Sequence, residues 1–150
     1  HLDIKELFSE APKSAIANFV EEVFSELNID PVTARKGFDF WEFYRGSALV
    51  RYFVYRNNFL FAVSPLAKLP KSNLQDLYTY LLSNPAQPFY LGITDSIVYI
   101  SYRVHLSDIN GKFKSDIQKN LSKLALKADE LDNFLVEKYQ CEWYDSSKAN

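Results

Sequence analysis

The stretch WEFYRGSALVRYFVYRNNFLFAVSPL, Trp41 to Leu66, decides the fold. Apolar and polar residues alternate in its first part, as in a half-buried strand. Gly46 breaks the run, and Ala48–Tyr55 resumes it with Val, Phe and Tyr. Arg56-Asn57-Asn58 forms a short turn, with Asn tolerant of positive φ. Phe59–Ser64 then gives a further run that Pro65 ends. Connections this short force antiparallel neighbours, so the segment reads as three strands: Phe38–Arg45, Ala48–Tyr55 and Phe59–Ser64. Large rings fall on both faces of these strands, although a sheet covered on one side alternates apolar and polar. What covers the second face is the question the sequence raises.

Outward from this segment, helical periodicity appears on both sides. Ile16, Val20, Val23, Phe24 and Leu27 recur at helical spacing after Ser14, a capping residue, which predicts a helix over Ser14–Asn28. NIDPVTARKG reads as a loop. After Pro70, Leu74, Leu77, Tyr78 and Leu81 form the stripe of a short helix, with Ser72 as its candidate cap. Two more strands follow, Phe89–Thr94 and Ile97–Leu106, around the turn Asp95-Ser96. Ser107 and Asp108 are candidate caps for a long helix whose apolar positions are Ile109, Phe113, Ile117, Leu121, Leu124, Ala128, Leu131 and Leu135. The end, from about Cys141, reads as a tail.

This order predicts an α+β fold: helix, three strands, helix, two strands, helix, with a five-stranded antiparallel sheet and helices mainly on one face. The 150 residues argue for one domain over 1–150, large enough to need no disulfide or metal staple. A formal net charge of −2 lends no support to a nucleic-acid partner. No apolar run is long enough for a membrane span, and His1–Glu10 is charged and has no signal-peptide core. The single cysteine, Cys141, fits a reducing, cytoplasmic setting.

Chemistry is sparse. His1, His105 and Cys141 cannot assemble a metal site, and the four glycines form no phosphate loop. Arg103, His105, Ser107 and Asp108 are the one suggestive cluster. Neighbours along one strand are not how a hydrolase triad assembles, so Ser107 and Asp108 read better as caps. Asp129, Glu130 and Asp132 read as a solvated acidic helix face. No catalytic residue and no cofactor is expected.

The rings remain. Alternation alone places Phe38, Phe40 and Tyr44 on one face and Trp41 and Phe43 on the other, with Phe53 and Tyr55 assigned beside the latter. Trp41, Phe43, Phe53 and Tyr55 are thus the candidate partner-binding patch, too large for an ordinary solvated face. Either the chain covers it, or the rings shield one another, or a partner does.

Several segments carry a resemblance: GSALVRYFV, LYTYLLSN, PFYLGITDSIVYISYRVHLSDI and LALKADELDNFL, which together lie within Phe38–Tyr139. With the element order, they resemble the type III secretion chaperone-like fold, and within it the YbjN-type branch of bacterial proteins. The resemblance implies a curved antiparallel sheet, a non-enzymatic protein-binding role and homodimerisation. It points to Leu74, Leu77, Tyr78, Leu81 and Phe89 as the dimer contact, leaving the sheet patch for a protein or peptide client. The alternative is a small-ligand-binding or enzymatic protein with an aromatic pocket near Arg103 and His105.

Overall fold

The computed structural model describes residues 14–145; the charged opening His1–Glu10 and the end of the tail lie outside them. The described residues open with α1 (Ala15–Leu27), capped by the Ser14 hydroxyl, which accepts from the Ala17 N–H at 3.0 Å. The expected loop holds a short helix, α2 (Pro31–Ala34), with Asp30 as its cap and Pro31 at its first position. A three-residue strand, β1 (Arg35–Gly37), follows. The expected strands come next: β2 (Phe40–Arg45), β3 (Ala48–Tyr55) and β4 (Phe59–Lys68). Then come α3 (Leu74–Leu82), β5 (Tyr90–Thr94), β6 (Ile97–His105), a 3-10 turn at Leu106–Asp108, α4 (Lys114–Tyr139) and β7 (Glu142–Trp143).

The sheet therefore has seven strands, not five. Its order is β1-β2-β3-β4-β6-β5, with β7 beside β4, and every pairing is antiparallel. The two extra strands are three and two residues long, too short for alternation to reveal. β4 runs through Pro65 because the register shifts between Pro65 and Ala67, a bulge at which the missing N–H is harmless. α4 starts at Lys114, since Leu106–Asp108 closes into a 3-10 turn and Gly111 intervenes. α3 begins after Asn73 in the left-handed region, and Ser72 is not its cap.

Both long helices lie on one side of the sheet. α4 packs across β3, β4 and β6, and α1 packs against α4. Gln118 reaches the Phe19 carbonyl and Ser122 reaches Glu26, so the two helices run parallel. Between them and the sheet lies the core. Phe24 meets the rings of Phe43 and Tyr52 at 5.2 and 5.5 Å. Leu121, Leu124, Ala128 and Leu135 point into the same space. The Tyr52 hydroxyl donates to the Leu121 carbonyl, and burial holds its pKa well above the usual tyrosine range.

The tail is part of this structure. Cys141 is buried, and burial raises its thiol to about 11. β7 extends the sheet alongside β4, next to the start of β3.

Candidate protein-binding face

The Gly46-Ser47 turn sets which rings share a face. It places Arg45 opposite Ala48, and the pairs outward from it are Phe43–Val50, Trp41–Tyr52 and Phe40–Phe53. Directly opposed residues point to the same side. Trp41 and Phe43 therefore face the helices with Tyr52 and Val50, and both are buried, Trp41 with 1% exposure. The expectation that they share a surface with Phe53 and Tyr55 is corrected: the register set by the Gly46-Ser47 turn puts the two pairs on opposite faces.

The face opposite the two long helices is built by the other half of each strand. Phe53 lies opposite Phe61, and Phe61 opposite Arg103; Tyr55 lies opposite Phe59, and Phe59 opposite His105. The rings touch in series. Phe53 and Phe61 stack at 5.6 Å, Tyr55 meets Phe61 edge-on at 5.8 Å, and Phe59 lies 6.1 Å from Phe61 and 4.6 Å from His105. Mutual contact leaves Phe53, Phe59 and Phe61 half-buried, with no helix of the described residues over them, while Tyr55 stays exposed. A shallow hollow of about 420 Å³ opens beside Phe53 and Phe61, walled by Val63, Tyr90 and Tyr99.

Cations border the rings. The Arg103 guanidinium sits 5.0 Å from the Phe59 ring centre, and Arg56 sits 5.1 Å from Tyr55. Each is a cation–π contact. Arg51 bonds Glu42 at 2.8 Å, and that bond foremost, with Tyr144 beside it, raises the arginine's pKa. Arg103 and His105 thus lie on the aromatic face itself, outside the lining of the hollow.

The tail reaches this face at one end. Beyond β7, Tyr144 comes beside Arg51, and the Tyr44 hydroxyl donates to Asp145 at 3.4 Å. It covers the Arg51 end; among the described residues none covers the Phe53–Phe61–Tyr55 end.

A second apolar surface lies at the β5 edge. Leu77, Leu81 and Phe89, expected to contact another copy, are instead buried in the chain's own core, where Phe89 meets Tyr102 edge-on. Leu74, Tyr78 and Leu82 form the outward stripe of α3, four residues apart, and Leu82 is 81% exposed. The adjacent β5 is an edge strand with Tyr90 and Ile93 exposed.

Of the acidic trio of α4, Glu130 is solvated and pairs with Lys127, whereas Asp129 and Asp132 turn toward the β2–β3 turn. Asp132 is buried, and the Ser47 hydroxyl lies 2.7 Å from its Oδ2 and 3.1 Å from Asp129 Oδ1. One hydroxyl proton shared between two acceptors bonds each weakly. Both contacts are full hydrogen bonds when a carboxyl supplies a second proton. Burial raises the pKa of Asp132 to about 6, so below that pH it brings that proton to the cluster. Asp129 also accepts the Ser47 N–H, which ties the β2–β3 turn to α4. Among the described residues no group of three His, Cys, Asp or Glu is placed to hold a metal, and no helix is long and apolar enough to cross a membrane.

No family model matches the chain, and no curated protein matches it. Among solved structures, the Yersinia pestis type III secretion chaperone SycH, in complex with a stable fragment of YscM2, is similar over 75% of this chain and 98% of that one. The TM-score is 0.51 at 15% identity, so the likeness is one of fold. The chain has a type III secretion chaperone-like architecture.

Proposed function

We propose that this chain is a non-enzymatic protein-binding module of chaperone-like character. It belongs with the YbjN-type branch, acts in the cytoplasm as a homodimer, and presents the aromatic sheet face to a protein segment. The observation that carries the reading is the Phe53, Phe61, Tyr55 and Phe59 cluster, which no helix of the described chain covers. Contiguous apolar surface of this kind marks a contact site. The fold is in keeping with it, since the similar Yersinia protein was crystallised with a protein fragment. Support for the dimer comes from α3 and β5, whose outward Leu74, Tyr78 and Leu82 adjoin an uncapped sheet edge. A specific interface there would bury roughly 1,200–2,000 Å².

An array of apolar and polar peptides, probed with the purified chain, tests the binding role. Retention of apolar segments that is lost in Phe61→Asp, with the melting curve still cooperative, is expected. An array blank at micromolar protein would overturn the role. Light scattering should give twice the 17.4 kDa chain mass, and Leu82→Glu should halve it.

A further inference from the structure

The open end of the aromatic face carries a charge pattern that the chain as a whole does not. The protein has a net charge of −2, yet the groups beside these rings are Arg103, Arg56 and His105. Arg51, at the other end, is already satisfied by Glu42. Arg103 and Arg56 each touch a ring and, among the described residues, have no hydrogen-bond or ion-pair partner. A guanidinium held against a ring keeps its N–H donors for a carboxylate.

The chain's own tail shows what the sheet accepts. Glu142-Trp143-Tyr144-Asp145 sets two adjacent rings between two acids. It pairs with β4, sets Tyr144 beside Arg51 and brings Asp145 to Tyr44. From this the geometry points to an acidic, aromatic protein segment as the occupant of the open end. Its rings enter the hollow beside Phe53 and Phe61, and its carboxylates meet Arg103 and Arg56. This assignment rests on the proposed protein-binding role and specifies the chemistry of the partner. A nucleic acid would also stack on rings beside arginines. Two unpaired arginines on an acidic protein are a poor match for a phosphate backbone, whose binding draws on a basic stripe.

The test uses two labelled peptides of about ten residues, long enough to cross the sheet. One alternates Phe with Glu, the other Phe with Lys, and anisotropy reads both against the full chain. The Glu peptide is expected to bind about tenfold or more tightly than the Lys peptide, the margin of one charge-assisted contact. That margin should shrink as salt screens it. The double variant Arg56→Glu/Arg103→Glu, both changes at surface positions, should reverse the preference. Equal binding of both peptides, unchanged in the double variant, would overturn the acidic assignment while leaving the protein-binding role intact. Failure of both peptides with array hits preserved would do the same, and failure of both with a blank array would end the role itself. An oligouridylate that outcompetes the Glu peptide and is lost in the double variant would overturn the assignment in favour of single-stranded nucleic acid.

Discussion

Asp132→Asn tests the buried proton between α4 and the β2–β3 turn. The Asp132 carboxyl moves from an ordinary 3.8 to about 6 on folding, chiefly through burial. A raised folded-state pKa means that the folded chain holds the proton more tightly than the unfolded chain. The stability this contributes is full below about pH 4 and is lost as pH rises through about 6. A difference of about two units corresponds to at most about 3 kcal/mol. Water reaching the half-buried Asp129 side of the cluster lowers this to about 1–2 kcal/mol. For a chain of this length the part lost between pH 4 and pH 8, about four-fifths of that, is a fall in Tm of about 2–6 °C. Asn has no titrating proton, but its amide can donate to the Ser47 hydroxyl. The variant should therefore lose this part of the slope and melt above the parent at pH 8. Calorimetric melts of both proteins across pH 4–8 read the difference directly. Parallel curves for parent and variant would refute the reasoning, because Asp132 would then titrate as an exposed carboxylate.

Three further outcomes follow from the packing. Leu124→Ala empties a fully buried position between α4 and the sheet and should cost about 2–5 kcal/mol, read from a denaturant midpoint. Gly46→Ala places a Cβ against the Asp129 carboxylate at a φ of +58°, so the variant should lose about 1–2 kcal/mol from backbone conformation alone. In a Trp143→Phe background, Trp41 emission should resist acrylamide until the chain unfolds, and native-state quenching close to that of free tryptophan would mean that Trp41 faces solvent.

The sequence exposed the element order because its signals there are long: the α4 stripe and the strand runs around Gly46 and Asn57 each extend over many residues. It misled where the deciding information is a pairing. Trp41 and Phe53 look alike to any single-strand pattern. Only the register from the Gly46-Ser47 turn separates them, and that count was open to a reader of the sequence. Phe59 and Phe61 were missed because β4 is apolar on both faces, so alternation gives no contrast. The partners of Asp132 lie far away in the chain, on the β2–β3 turn, where no local pattern reaches. β7 was hidden by its length, and Leu77 and Leu81 were offered to a second copy because a helix with two apolar stripes does not say which one is inward.

Backbone and side-chain NMR of the chain, titrated with the Phe–Glu peptide, tests the central claim most directly. The account predicts saturable shifts concentrated on Phe53, Tyr55, Phe61, Tyr99 and Arg103, with α1 and α4 unmoved. Shifts confined to the helices or to the Leu74–Leu82 stripe, or none at millimolar peptide, would contradict it.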